Sequence, residues 1–440
     1  MMPAMSKVAG ERDLAALTVL GAGYVGLPTA VCLAALGHCV VCCDIDASKI
    51  ESLALGVATV SEEGLQELLD DGISSGRLRF VVDSAEAVET ADMVFLCLPT
   101  PQLEDGSVDV SILEAAVHRI GSRLKSGAVV VTKSTVPMGQ AQKICEILRR
   151  DDVEVVSNPE FLREGHAIYD TFHPERIVVG ARDPDVAERV GKLWSTTGAP
   201  LLITDPITAE TIKYASNAFL AAKLSFVNEV ANLCEAVGAD SEGVLHGMSY
   251  DHRIGADYLN PSPGWGGPCL SKDAHALVNI SKELGYDFAM VRTAIEVNER
   301  QMDLICEKIR NSVGGVLAGR VVAVWGLTFK AGTDDLRNSP AVEITRRLAV
   351  EGAIIQAYDP SVQSQRPELS ENVTVHSDRY EACRNAEVLV VLTEWEEFRS
   401  SDFDKVSSEL AQPNIVDGRN ALDPAILRRL AFRYVGLGRP

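Results

Sequence analysis

The segment Gly264-Trp265-Gly266-Gly267-Pro268-Cys269-Leu270-Ser271-Lys272-Asp273 sets a thiol in a glycine-rich turn, with a carboxylate four positions on. Glycine lets backbone approach a ligand closely. A thiol becomes a good nucleophile where a cation, a helix N-terminus or a general base favours the thiolate, and Lys272 and Asp273 are candidates for that role. Lys213 and Asn217 are spaced i, i+4, so on a helix they share one face. An ammonium and an amide so placed can polarise a hydroxyl or stabilise an oxyanion.

A third constellation opens the chain. Leu17-Thr18-Val19-Leu20 reads as a strand, Gly21-Ala22-Gly23-Tyr24-Val25-Gly26 follows, an apolar helix continues from Thr29 to Leu36, and the strand Cys39 to Cys43 ends in Asp44. In this βαβ setting G-x-G-x-x-G is a dinucleotide fingerprint: a tight turn, close approach to a pyrophosphate, and a helix N-terminus for the phosphates. Asp44 stands near the spacing of a carboxylate on the adenosine ribose, where it would repel a 2′-phosphate. The expected cofactor is therefore NAD rather than NADP, and no metal is called for.

The elements that must position these groups alternate. Further strands fit at Met93 to Leu98, Ala128 to Thr132 and Val153 to Val156, with helices between them, which signals a mostly parallel doubly wound sheet. Pro99-Thr100-Pro101 and Ser134-Thr135-Val136-Pro137 follow such strands, and ligands lie at strand carboxyl ends, so both loops are expected to face the cofactor. A helix from Ala209 to Val237 is long enough to join domains and to pack against a partner subunit, and a second helical stretch runs from Leu277 to Ile309. A second α/β unit opens at Arg320, with a helix from Pro340 to Glu351, a strand from Ala353 to Tyr358 ending in Asp359, and another from Val388 to Leu392. Its first turn, Gly326-Leu327-Thr328-Phe329-Lys330, lacks the fingerprint, so a nucleotide-type ligand fits there better than a second dinucleotide. The expected fold class is α/β: two Rossmann-like doubly wound domains joined by a long central helix, divided as 1–204, 205–310 and 311–440.

Composition bounds the partners. The 62 acidic against 41 basic residues leave a formal charge of −21, which opposes nonspecific attraction to nucleic acid or anionic membrane. The apolar run from Ala15 to Leu36 is broken by Gly21, Gly23, Gly26 and Pro28 and lacks an upstream basic region, so neither a membrane span nor a signal sequence is expected. Ten scattered cysteines, among them Cys32, Cys39, Cys42 and Cys43 in an apolar stretch, read as core filling in the reducing cytoplasm. Roughly the first 14 residues are expected to be poorly ordered.

In their order the motifs resemble the UDP-glucose/GDP-mannose dehydrogenase family. The matching stretches are Gly21 to Pro28, Lys133-Ser134-Thr135-Val136-Pro137, Asn158-Pro159-Glu160-Phe161-Leu162-Arg163-Glu164-Gly165, Lys213-Tyr214-Ala215-Ser216-Asn217, the Cys269 segment, and Gly326 to Lys330 with Thr333-Asp334-Asp335-Leu336-Arg337. The resemblance implies a four-electron oxidation of a sugar C6 alcohol to a carboxylate, with Cys269 forming a thiohemiacetal and then a thioester. It implies that Lys213 and Asn217 hold the oxyanion, Asp273 with a water is the base, and Glu164 and Thr135 attend the hydrolytic water. Cofactor contacts are implied for Gly21, Gly23, Tyr24, Val25, Gly26, Asp44, Thr100, Thr135, Lys272 and Arg337. Substrate contacts are implied for Glu160, Phe161, Leu162, Lys213, Asn217, Gly266, Lys330, Arg419 and Arg253, the last supplied by a neighbouring subunit of a homodimer or larger homo-oligomer.

Phe172 to Gly180 looks more like the UDP-glucose branch, although Pro268, Leu270 and Ser271 depart from the usual surroundings of the cysteine. TDP-glucose, GDP-mannose and a UDP-N-acetylhexosamine remain alternative substrates, because these motifs do not read the base. A two-electron NAD-linked hydroxyacid dehydrogenase would account for the N-terminal fold but leave Cys269 without a role, and a catalytically silent NAD-binding scaffold would not need the thiol, Lys213 and Asp273 together.

Overall fold

The computed structural model describes residues 15–103 and 105–439, so the expectation for the first 14 residues lies outside the described residues. The chain forms two compact units: residues 15–101 with 108–213, and residues 102–107 with 214–439.

The first unit is built on eight strands: β1 (Ala16–Leu20), β2 (Cys39–Cys43), β3 (Leu78–Val81), β4 (Met93–Leu96), β5 (Val129–Thr132), β6 (Glu154–Ser157), β7 (Ile177–Gly180) and β8 (Leu201–Thr204). Their order is β3-β2-β1-β4-β5-β6-β7-β8. The first six run parallel, and β7 joins antiparallel through the single pair Ser157 and Gly180. The side chains of successive strand residues enter opposite cores: Leu17, Val19, Phe95 and Val131 on one face, Leu20, Val94, Leu96 and Val130 on the other. Covered on both faces, the strands read as continuous apolar runs rather than alternating ones. The order reverses between β1 and β4, which opens a crevice at the carboxyl end of β1.

The second unit carries a six-stranded sheet of β9 (Val321–Trp325), β10 (Ile354–Tyr358), β11 (Val373–Val375), β12 (Val388–Val391), β13 (Asn414–Asp417) and β14 (Arg433–Val435). Its order, β11-β10-β9-β12-β13-β14, repeats the 3-2-1-4-5-6 arrangement with every pair parallel. Again two cores flank it: Val322, Val324 and Val390 in one, Ala323, Trp325 and Leu389 in the other.

Five helices matter for the site. Helix α1 (Gly26–Ala35) starts three residues earlier than the apolar pattern suggests, because the fingerprint's last glycine is its first residue. Helix α2 (Pro206–Val237) has 32 residues, and the boundary of the two units falls within it, after Lys213. Asp205 caps it, accepting from the Thr208 amide at 2.9 Å and hydroxyl at 2.5 Å, with Pro206 as the first helical residue. The expected single stretch from Leu277 to Ile309 is two helices, α3 (Gly267–Glu283) and α4 (Ala289–Ser312). Gly285 at φ +73° breaks it, a left-handed residue that stops α3. Helix α3 also begins ten residues earlier than expected, which takes Cys269 out of the glycine turn and into a helix. Helix α5 (Pro340–Val350) opens under a Ser339 cap. The expectation for the cysteines needs one correction: Cys32, Cys42 and Cys43 are buried, but Cys39 opens β2 at the sheet's end and is exposed. No described helix is long and apolar enough to cross a membrane.

Candidate active site

The β1 to α1 turn assigns each fingerprint glycine a different task. At Gly21, φ is +99° and a Cβ would lie 2.3 Å from the Cys97 carbonyl oxygen. A Cβ on Gly26 would meet the Gly21 carbonyl oxygen at 1.8 Å. Both are glycines because the fold leaves no room. A Cβ on Gly23 would meet nothing within 4 Å, so the fold itself does not require glycine there. Open space at that position leaves room for a ligand to approach the backbone. Val25, which stands at the N-terminus of α1, has no side chain that can cap it, and the N-terminus of a helix is a favourable place for an anion.

Asp44, just past β2, accepts from the Ala22 amide at 2.9 Å, the Asp46 amide at 3.0 Å and the Lys49 ammonium at 3.2 Å. Partial burial pushes its carboxyl up, but these donors outweigh that and hold it below the usual range. It is a carboxylate at neutral pH, with one acceptor site on Oδ1 left beside those three donors. These features fit NAD.

Two loops at the strand ends are tied together. The Thr100 hydroxyl donates to the Thr135 carbonyl at 2.9 Å, and the Ser134 hydroxyl donates to the Leu98 carbonyl at 2.7 Å. A small cleft beside them is lined by Thr132, Ser134, Thr135, Val136, Ser157, Pro159, Glu210 and Lys213. In the same unit Lys213 donates to Glu160 at 2.8 Å, with both side chains almost wholly buried. Glu160 also accepts from the Leu162 amide at 2.6 Å. Burial pushes the Glu160 carboxyl up, yet Lys213, the Leu162 amide and nearby Lys133 prevail and hold it below its ordinary value. Phe161 carries the Arg176 guanidinium 3.8 Å from its ring centre, with the Lys213 ammonium at 5.5 Å. The loop holding Glu164 is anchored by Glu62, which accepts from the Gly165 and Ala167 amides at 2.8 and 2.9 Å.

In the second unit Cys269 is the third residue of α3 and is exposed. The amides of a helix's first turn favour an anion there. Asp273, one turn further on, is fully buried and accepts from the Asn217 amide at 2.6 Å and the Lys272 ammonium at 2.7 Å. Asn217 and Lys272 are thus brought to Asp273, while Lys213 is engaged by Glu160.

The basic candidates of this unit are mostly paired. Arg337 makes a bidentate bridge to Asp335. Arg419 donates to the Leu392 and Phe329 carbonyls, both at 2.9 Å, and bridges Glu394 at 3.0 Å. Lys330 lies 5.8 Å from the centre of the Phe329 ring. Arg253 is largely exposed and bridges Asp251. A Cβ on Gly266 would meet the Asn338 carbonyl oxygen at 2.1 Å, so close backbone packing requires that glycine.

The first turn of the second sheet copies that of the first. Gly326 donates to Tyr358 at 2.8 Å as Gly21 donates to Cys43 at 2.7 Å. Asp359, the counterpart of Asp44, accepts from the Leu327 amide at 2.7 Å, Thr328 and Trp395 on one oxygen and Ser361 on the other. It is buried and its lone pairs are taken, so it offers no ribose site.

Residues 15–197, 207–300 and 323–424 match, in order, the NAD binding, central and UDP binding domains of the UDP-glucose/GDP-mannose dehydrogenase family. The chain belongs to that family. It is 42% identical to a UDP-glucose 6-dehydrogenase of Rhizobium meliloti over 96% of this chain and 99% of that one. It is 41% identical to the UDP-glucose 6-dehydrogenase YwqF of Bacillus subtilis over 96% and 97%. A UDP-glucose dehydrogenase structure from Pyrobaculum islandicum superposes with a TM-score of 0.90 at 35% identity, covering 99% of this chain and 100% of that one. The family's NAD binding domain makes NAD the cofactor.

Sequence reading missed two residues of the first unit. Glu210 stands three residues before Lys213 on the same face of α2, a spacing that could have marked it. Its carboxylate accepts from the Gly139 and Ala141 amides at 2.6 and 3.0 Å and from the Ser157 hydroxyl at 3.0 Å, capping a helix that has no side-chain cap of its own. Lys133, inside a quoted motif but given no role, is buried beside Trp194, and burial pushes its ammonium down.

Proposed function

We propose that this enzyme oxidises the C6 hydroxyl of UDP-glucose to the carboxylate of UDP-glucuronate, using two NAD and one water. The observation that carries the reading is Cys269: an exposed thiol in the first turn of α3, one turn before a buried carboxylate gripped by an amide and an ammonium. The names of the relatives support the choice of sugar nucleotide.

The Gly21 to Gly26 turn, with Thr100, Lys272 and Arg337, would hold NAD, and two NAD bound in succession would each supply the acceptor for one hydride. The chain's own residues do the rest. Asp273 takes the hydroxyl proton through a water while Lys213 and Asn217 steady the oxygen as it becomes an oxyanion. Glu160, paired with Lys213 at 2.8 Å, fixes where that ammonium sits. The Cys269 thiolate adds to the C6 aldehyde carbon, and the new C–S bond keeps the reactive carbonyl on the protein. Once that adduct is oxidised to the thioester, Glu164 and Thr135 hold the attacking water, and the C–S bond breaks to free the carboxylate and the thiol.

Phe161, Leu162, Gly266, Lys330 and Arg419 take the nucleotide sugar, with Arg253 donated by a second copy. Residues 1–204 serve the cofactor, 205–310 catalysis and association, and 311–440 the nucleotide. Association as at least a dimer is supported by Phe219, Phe226 and Leu233, which recur every seven residues along α2 and are exposed. Ten free cysteines support a cytoplasmic setting.

The test is NADH formation with UDP-glucose, TDP-glucose, GDP-mannose and a UDP-N-acetylhexosamine. UDP-glucose should be preferred, with about two NADH per sugar acid and little free aldehyde. Cys269→Ala should nearly abolish acid formation. Acid made by that variant at close to the normal rate would end the covalent mechanism.

A further inference from the structure

Four residues before Cys269, the chain at Trp265 is held by an amide side chain from another helix. Asn298 of α4 accepts from the Trp265 amide at 2.8 Å and donates to the Trp265 carbonyl at 2.9 Å. It treats that residue as a neighbouring strand would, and only one orientation of its amide satisfies both bonds. The Trp265 indole donates to the Ser225 hydroxyl of α2 at 2.8 Å, which donates onward to the Ala294 carbonyl of α4 at 2.7 Å. Just upstream, the Ser262 amide donates to Asn228 at 2.8 Å and its carbonyl accepts from Gln301 at 3.1 Å. Asn298, Gln301, Ser225 and Asn228 are all buried. Burying four polar side chains is costly unless each gains hydrogen bonds, and here those bonds converge on the short segment that leads into the nucleophile's helix.

We propose that Asn298 is a positioning residue for the Cys269 thiol: by fixing both polar backbone groups of Trp265 it sets where α3 begins and so where its first-turn thiol sits. The far side of the segment is equally constrained. The Gly267 amide donates to the Asn338 carbonyl at 3.1 Å, and a Cβ on Gly267 would lie 2.7 Å from the Phe329 ring. With that side closed, loss of the Asn298 grip shifts the start of α3 rather than being absorbed by slack.

The proposal rests on Cys269 being the nucleophile, so the experiment separates the two. Asn298→Asp keeps the acceptor for the Trp265 amide and replaces the donor to its carbonyl with a second acceptor. Asn414→Asp is the control: Asn414 is also a buried amide, donating to the Ser312 and Glu387 carbonyls at 3.0 and 2.9 Å, in the second sheet. Two readouts are taken on each: steady-state kinetics with UDP-glucose, and the rate of iodoacetamide labelling of the Cys269 peptide by mass spectrometry without substrate. Asn298→Asp should lower kcat about tenfold or more, leave KM within about twofold, and change the labelling rate by about threefold or more. Asn414→Asp should lower Tm comparably and move neither readout. If Asn298→Asp does not fold, Asn298→Ser, which shortens the side chain that reaches both Trp265 backbone groups, should shift the same two readouts in the same direction. Values of kcat and labelling within about twofold of the unsubstituted protein in the folded variant overturn the proposal. If Cys269→Ser retains acid formation, the functional reading fails, and the substrate-free labelling rate still decides whether Asn298 holds this segment.

Discussion

Gly23→Ala and Gly26→Ala differ by one methyl in the same turn and should separate folding from cofactor binding. At Gly26 the new carbon would sit 1.8 Å from the Gly21 carbonyl oxygen, 2.9 Å from its carbon and 3.0 Å from the Cys97 Cβ. The first two are backbone atoms, so relief requires the turn itself to move. Overpacking of that kind costs about 1–3 kcal/mol, and helix propensity at the first position of α1 returns less than about 1 kcal/mol. A net loss of about 2 kcal/mol lowers Tm by about 4–8 °C for a unit of this size. At Gly23 a Cβ meets nothing within 4 Å. The variant should keep its Tm or gain slightly, since alanine restricts the unfolded chain by about 0.4–1 kcal/mol. Its NAD affinity should nevertheless fall. If the methyl displaces the pyrophosphate from one backbone amide, the lost charge-assisted hydrogen bond is worth about 1.5–3 kcal/mol, or roughly tenfold to hundredfold in Kd. Thermal denaturation without ligand and NAD titration by fluorescence measure the two effects. Gly23→Ala binding NAD within about twofold of the unsubstituted protein would refute the assignment of that space to the cofactor. An equal loss of Tm in both variants would refute the steric reasoning.

Asp44→Ala should weaken the preference for NAD, and NADP turnover equal to NAD turnover in the unsubstituted enzyme would sink the ribose assignment. Glu160→Gln breaks a buried pair with Lys213 and should cost about 3–5 kcal/mol at neutral pH. Because the folded Glu160 carboxyl is held below its ordinary value, its contribution is full above the usual carboxylate range and is lost as pH falls through the lowered folded value. The variant should therefore lose part of the acid limb of the stability profile; an unchanged limb in urea titrations from pH 7 to 3 contradicts this. Iodoacetamide on the native protein should label exposed Cys39 and Cys269 first, whereas Cys32, Cys43, Cys97, Cys306 and Cys383, whose thiols burial pushes up to about 12, should label only on unfolding. Early labelling of Cys97 by peptide mapping would contradict that order.

What the sequence alone determined was local. The β1 to α1 turn was legible because a fingerprint's glycines, the strand before it and the acid after it lie within about 30 residues. The face shared by Lys213 and Asn217 follows from helical spacing alone, whereas the one-turn step from Cys269 to Asp273 emerged only because α3 begins at Gly267, ten residues before the apolar pattern. The second α/β unit was legible from its repeated strand and helix pattern. Periodicity failed where it did not decide: the stretch from Leu277 to Ile309 looked continuous, and one left-handed Gly285 divided it.

Only the tertiary structure decided the partners. Glu160 meets Lys213 across 53 residues, Asn217 meets Asp273 across 56, Glu210 caps a helix 69 residues away at Ala141, and Asn298 grips Trp265 across 33. No spacing rule reaches that far. A buried polar group must find a partner, but which partner it finds depends on how helices and strands pack. The same limit explains Asp44 and Asp359, two acids at the ends of matching strands. In sequence they look alike. In the structure Asp44 has three donors and keeps one acceptor site, while Leu327, Thr328, Trp395 and Ser361 use up those of the buried Asp359, so only the first of the two acids has an acceptor site to offer a ligand.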